Sequence, residues 1–468
     1  MYVLLFLLLF LLTPFRSESS ENDFNYGLQL RGSAGLQGDV PFWIYSNRQD
    51  ELNRNSYSLA TNVFGRWSRS LGRGVTLTVG SDLLLRSSED PDISFREAYL
   101  KLEYSGFFLY GGRKKDYRRY GMVNHDLSIG TMDWSPNARP IKKVKFATDG
   151  YRAVPWTSNY LHYNAHISQG IMNDNETRYV QDALMHSKYL YLRIFDEDHW
   201  ITINGGLSHY VMWGGHSESE GDIPQGVREF FEIFMSRAGD RETMFEDYIG
   251  TGFVKNRHQN HGGIYDFALK FNLESHRIAV TRQFMLEDTP NYRFAAPWDG
   301  IWGVTVDFKD RDQPVLSNFV YEHVNTLEQL TNNPKREGRT AKYYNHGVYR
   351  GGWTYNGQII GTPLYYTETR ETNDQPHTVI ANNELISHHV GVAGFLLDDT
   401  TYRLLATYSR NYGDQRYGNF PRKDQYSFML EFETALTDNL TLNTTFAADT
   451  GDLYSENFGA MLGLRWVN

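Results

Sequence analysis

Cysteine is absent from this chain, so disulfides, thiol nucleophiles and cysteine-ligated metals are all unavailable to it. Proline is scarce, 14 residues against 41 glycines, a balance that suits extended strands joined by tight turns. Past the first dozen residues no window of 18 apolar residues occurs, which excludes a membrane-spanning helix but leaves spanning strands open. Positive charge is not in excess: the formal net charge is -10, which gives no nucleic-acid footprint. The G-x-S-x-G, P-loop and H-E-x-x-H signatures do not occur.

What the 468 residues have in plenty is aromatic side chains, 15% of the chain with 32 Tyr and 28 Phe. They recur in a pattern of period two. Tyr426, Phe428, Leu430 and Phe432 alternate with Ser427, Glu431 and Glu433; the alternation restarts at Leu440, Leu442, Thr444, Phe446, and again at Phe458, Ala460, Leu462, Leu464, Trp466. Successive side chains of a strand point to opposite faces, so each run has one apolar face and one polar or small face. Runs of about ten residues with aromatics near their ends suit outer-membrane strands and their girdles. Tyr265, Phe267, Leu269, Phe271 and Leu273 alternate in the same way with Asp266, Ala268, Lys270 and Asn272, one row fitting lipid and the other a wet lumen.

The expected fold is therefore all-β, a transmembrane antiparallel barrel with long outward loops. Val3 to Leu12 is a Leu/Phe run too short to span a bilayer, followed by Thr13-Pro14 and a Ser/Glu stretch. It reads as the core of a signal peptide over residues 1–20, leaving 21–468 as the barrel domain. Short turns fall at Ser70 to Arg73, Ser105-Gly106, Asp196 to Asp198, Glu274-Ser275, Lys309 to Gln313, Asn356-Gly357, Asp398 to Thr400 and Thr437 to Asn439. In a meander they share one rim, the periplasmic one. Between Gly106 and Phe195 the runs Val144 to Thr148 and Tyr160 to Ile171 are an ambiguous pair, so the count comes to about 18 or 20 strands, both even. Longer connections then point outward. The one from Trp213 to His261 holds a helix opened by Pro224 and stopped by Gly239, expected to fold over the barrel mouth.

Two sets of loop residues suit a glycan. Arg113, Lys114, Lys115, Arg118 and Arg119, with Lys142, Lys143 and Lys145 beyond, offer cationic donors to anionic sugars or lipopolysaccharide phosphates. The competing role is a solvated, internally paired loop. Phe42, Trp43, Tyr45, Trp134, Trp156, Trp213, Trp298 and Trp302 offer flat faces for sugar rings, or else serve as girdle and packing residues. Trp43, Trp213 and Trp298 are taken as the aromatic candidates. His258 and His261 are too loosely spaced for a metal set, and adjacent Glu287 and Asp288 face opposite ways along a strand. No catalytic residue, metal or cofactor is assigned.

Several stretches, in order along the chain, resemble those of the capsule assembly Wzi family, in the form found in Bacteroidetes-like bacteria. They are VPFWIYSN (Val40 to Asn47), GGRKKDYRRYG (Gly111 to Gly121), SPNARPI (Ser135 to Ile141), HSKYLYLR (His186 to Arg193), GLSHYVMWGG (Gly206 to Gly215) and NRHQNHGG (Asn256 to Gly263). MLEDTPNYRFAAPWDGIWG (Met285 to Gly303), VYEHVNT (Val320 to Thr326) and YYNHGVYRGGWTYNGQIIGTPL (Tyr343 to Leu364) complete the set. The resemblance implies an outer-membrane barrel of 18 strands in a Gram-negative envelope. It also implies a lectin-like role in holding capsular or extracellular polysaccharide, with outer-membrane lipid and the barrel-assembly machinery as further partners. Two other classes compete: a porin-like channel for oligosaccharides or other solutes, and an outer-membrane hydrolase whose first candidates are His209, His261, Glu287, Asp299 and Glu322.

Overall fold

The computed structural model describes residues 22–116, 126–235, 259–287, 294, 296–309, 314–329, 342–372, 375–414, 420–454 and 456–468. The leader expected over residues 1–20 lies outside them.

Eighteen strands close into one antiparallel barrel. The first five are β1 (Asn22–Gly35), β2 (Tyr57–Gly72), β3 (Val75–Ser88), β4 (Asp92–Tyr104) and β5 (Phe107–Arg113). Next come β6 (Lys142–Thr148), β7 (Leu161–Met172), β8 (Ala183–Ile194), β9 (Ile201–Trp213), β10 (Gln259–Asn272), β11 (His276–Leu286), β12 (Gly300–Phe308) and β13 (Asn318–Asn325). The last are β14 (Glu384–Leu397), β15 (Thr400–Gly413), β16 (Lys423–Thr437), β17 (Leu440–Gly451) and β18 (Asn457–Val467). Each pairs with its neighbours in sequence, and β1 closes on β18 from Gly27 opposite Val467 to Gly35 opposite Gly459. Closure leaves no unpaired edge for lipid to meet, the condition for a sheet in a bilayer.

The alternation places Leu28, Leu190, Leu207, Phe267, Phe428 and Leu462 outward and exposed, forming the apolar belt. Aromatic rings flank the belt at both ends: Tyr26 and Trp466 meet at 5.7 Å near the short-turn rim, and Tyr408 and Tyr426 at 4.9 Å near the long-loop rim. The inward row is polar and buried, as in Asn62, Asp82, Asn204, Asp266 and Thr445.

The count of 18 is reached by a different route from the one the turns suggest. Val144 to Thr148 and Leu161 to Met172 are wall strands, adding a pair. Asn356-Gly357 is not a rim turn. Both residues have positive φ, 48° and 75°, as a tight two-residue hairpin requires, but the hairpin joins only Thr354–Tyr355 to Gln358–Ile359 inside a long outward loop. The outward connection thus runs without interruption from Asn325 to Glu384. The loop helix also differs from expectation. It spans Val227–Phe234, labelled α2 after the short α1 (Phe42–Tyr45), and packs on the outer wall, where Phe230 and Ile233 contact Trp213, Val211 and Leu184.

Candidate functional site

Three outward loops turn back into the lumen. Residues 36–56 carry α1, with Trp43 and Ile44 buried; residues 126–141 contribute Ile129, Met132 and Ile141; residues 342–365 contribute Tyr343, Tyr344, Trp353, Tyr355 and Ile360. They join inward wall residues such as Met185, Met212, Ile264 and Leu405 in a single apolar cluster, a core inside the barrel. Backbone bonds stitch the segments together: Asp50 N–H to Asn137 O at 3.0 Å, and Ser135 N–H to Ile360 O at 2.7 Å. The Trp353 indole stacks on Tyr210 at 4.0 Å and donates to Asp133 O at 2.8 Å.

The wall's polar row holds this plug. Glu322 accepts from Ser128 Oγ at 2.6 Å and from the Ile129 N–H at 2.8 Å. The Leu127 carbonyl, 2.7 Å from His389 Nε2, can only accept, so His389 carries its proton there and receives the Thr407 hydroxyl on Nδ1 at 2.8 Å. Thr407 in turn accepts the Trp43 indole N–H at 3.1 Å. Asp50 is a charged hub: Arg139 reaches its carboxylate at 2.6 Å and Arg86 at 3.4 Å, while Arg86 and Arg96 both donate to its carbonyl at 3.0 Å. Beyond the plug, a charged cavity of about 860 Å³ extends to the short-turn end of the wall, lined by Arg31, Arg48, Arg403 and Glu431 among others.

Two arginine-on-tyrosine pairs lie among the outward loops. Arg54 covers the Tyr454 ring at 5.0 Å, with Tyr366 at 6.1 Å from Tyr454 and Asp39 at 3.0 Å from the guanidinium. Arg350 covers Tyr179 at 4.3 Å, with His377 beside that ring at 5.1 Å, and its buried Nε has no partner among the described residues.

A family model described as capsule assembly protein Wzi matches residues 51–366, about two thirds of the chain. This chain belongs to the Wzi family. It is similar over 94% of its length, at 15% identity and a TM-score of 0.56, to 83% of the Escherichia coli Wzi structure. That structure is described as an outer-membrane protein involved in group 1 capsule assembly and a carbohydrate-binding β-barrel. Pseudomonas aeruginosa OccK5 matches at 8% identity and a TM-score of 0.46, covering 95% of this chain and 98% of that one. Salmonella typhi OmpF matches at 8% and 0.43, covering 97% and 100%. Both scores are too low to bear on function. No curated protein sequence matches the chain.

In this Wzi-family barrel, an outer-membrane protein, the residues expected from sequence to bind glycan are dispersed. Trp43 lies inside the plug, 2% exposed, its ring against Phe42 and His389, so neither face is open to a sugar. Trp213 is covered by α2. Trp298 is 62% exposed on an outward loop, its backbone N–H bonded to Glu328. Trp156 is exposed too, but because β6 and β7 are wall strands it sits on the short-turn side. The basic cluster is internally paired where described: Arg113 donates to Phe95 O and to the Tyr355 hydroxyl, Lys115 to Asp82 at 2.7 Å, and Lys114 to the Lys115 carbonyl. Lys143 and Lys145 point into the lumen onto Asp116; burial alone would lift that carboxyl, but the two ammonium groups hold it well below the usual carboxylate range. Arg118, Arg119, His258 and Asp288 lie outside the described residues.

The five hydrolase candidates do not converge. His209 and His261 meet at 3.1 Å on the outward face of β9 and β10, Glu322 points inward to Ser128, and Glu287 and Asp299 anchor the tyrosines of the plug. Arg54, Tyr366, Tyr454, Arg350 and Tyr179 were missed by sequence reasoning. Their pairing depends on loops far apart in the chain, and no local pattern marks it.

Proposed function

We propose that this protein holds extracellular polysaccharide at the cell surface by binding it unchanged, and so helps to assemble or anchor a capsule-like layer. The plugged lumen carries the reading. Three loops share one core with the wall, so the barrel offers its surroundings a fixed polar surface, where a channel would need an open polar lining. Arg54 on Tyr454 adds a forked donor beside a flat ring, and Arg350 adds a second guanidinium, chemistry suited to sugars bearing carboxylate or phosphate. Trp298 has an open ring for the same purpose, and Arg118 and Arg119 extend the basic stretch that Arg113 to Lys115 begin. The E. coli structure of the same fold, described as carbohydrate-binding, agrees with this reading. Removal of a leader over residues 1–20 and insertion by the barrel-assembly machinery would bring the chain to its membrane.

The test is retention of surface polysaccharide, extracted from the parent strain, on the immobilised full-length protein. Retention should fall as salt rises. Arg54→Ala and Arg350→Ala should each weaken it about tenfold, the 1.4 kcal/mol of one charge-assisted contact. Absence of retention at low salt would contradict the proposal.

A further inference from the structure

The membrane-facing wall of an outer-membrane barrel needs nothing beyond apolar side chains, yet over β7 to β10 it carries a polar cluster. The alternation that turns Leu190 and Leu207 outward also turns His186, Lys188, His209 and His261 outward. α2 covers them. His186 lies edge-on to Phe230 at 5.9 Å and to Phe234 at 6.3 Å, wholly buried. Neither of its ring nitrogens has a hydrogen-bond partner among the described residues, nor does Nδ1 of His209, itself 6% exposed. Lys188 Nζ donates to the last carbonyls of the helix, Ile233 O and Phe234 O.

Directly below this cluster is a groove of about 870 Å³, within the size range of ligand pockets, about 300–1,000 Å³. Its outward-facing lining is Phe146, Ile167, Leu190, Leu207, Tyr265 and Phe267, and its floor is made by the small residues Ala165, Gly205 and Gly263. Lys188, His209 and Phe234 stand at one end. That end points to the long-loop rim, because β8 runs down from Ala183 at that rim to Ile194, and β9 runs up from Ile201 to Trp213. Polar groups thus lie at the level of the outer headgroups, with an apolar trough leading from them into the bilayer. α2 reinforces the assignment. Its second face presents Val227, Phe231 and Met235, all more than half exposed, as a helix lying in the membrane interface does.

We propose that this groove binds one phosphorylated acyl lipid of the outer leaflet. One chain lies in the trough over Ala165 and Gly205, and the phosphate accepts from the ammonium group of Lys188 at the trough's end. Charge and geometry agree on this occupant: an ammonium group with an N–H to spare sits at the end of the trough, where an anionic headgroup would lie.

The experiment is native mass spectrometry of the full-length barrel, released from nanodiscs of phosphatidylcholine containing a minor fraction of phosphatidylglycerol. The wild type should retain one phosphatidylglycerol preferentially. Ala165→Leu, which fills the trough, should abolish retention; Gly205→Val is the second filling variant, its new Cβ about 3.3 Å from the movable Phe267 ring. Lys188→Gln should weaken retention about fivefold, the effect of one basic residue on an anionic lipid, while phosphatidylcholine retention stays the same. Heat-modifiable gel mobility reports folding of each variant. Equal retention by the wild type and a folded filling variant would overturn the proposal, as would equal retention of the two lipids by the wild type.

Discussion

Asp50 shows how a single residue fixes the plug. Three guanidinium groups converge on it, two of them from the wall strands β3 and β4. Asp50→Ala would leave these buried cations facing one another, at a cost of about 3–5 kcal/mol for a broken buried pair. A clearly lower unfolding temperature is expected, with a smaller drop for Asp50→Asn, which keeps an acceptor. Asp299 gives a pH dependence. Burial pushes its carboxyl from the ordinary 3.8 up to about 6, against the hydrogen bonds it accepts from Gln329, Glu328 and Tyr343. An acid with a raised folded pKa binds its proton more tightly when folded, so its contribution is complete below its ordinary range and lost as pH rises through about 6. Melting curves from pH 4 to 7.5 should show the wild type losing stability relative to Asp299→Asn over that interval. A constant difference would contradict the assignment. Residue type alone misleads at Trp43: a tryptophan in a loop sequence suits sugar stacking, but this loop folds inward and the ring becomes core.

Elements were more legible than residues wherever one face of a strand meets lipid and the other the lumen, because that environment imposes period two. Tyr426 to Phe432 and Tyr265 to Asn272 are strands in the register their alternation implies. Alternation is lost where both faces are buried. Around Asn356-Gly357 the residue pair fits the observed turn, but Val348, Tyr349, Trp353, Thr354, Tyr355 and Ile359 are all buried, leaving no lipid side to impose alternation. β6 was obscured for the opposite reason, since Lys142, Lys143 and Lys145 read as loop until Asp116 is seen to neutralise the inward pair. The plug hairpin gives a direct prediction. Trp353→Ala removes the stack on Tyr210 and the bond to Asp133, a core truncation costing about 3–5 kcal/mol. Planar-bilayer recordings should be silent for the wild type and show brief openings for the variant. Steady conductance by the wild type would favour the porin-like reading.

At the scale of the molecule, the barrel serves as a membrane-fixed socket for its own outward loops, and what it presents outward is set by the parts of those loops that remain at the rim. Composition and turn placement reveal the socket. They do not reveal the surface, because Arg54 and Tyr454, or Arg350 and Tyr179, become neighbours only when loops 400 and 171 residues apart come together. The measurement that tests the account most directly is the amount of cell-bound against released polysaccharide in a strain lacking this chain, beside the parent and a complemented strain. The account predicts normal total production with most of the polymer shed, and attachment restored by the wild type but not by a chain carrying both Arg54→Ala and Arg350→Ala. Identical bound and released fractions in the deletion and parent strains would contradict it.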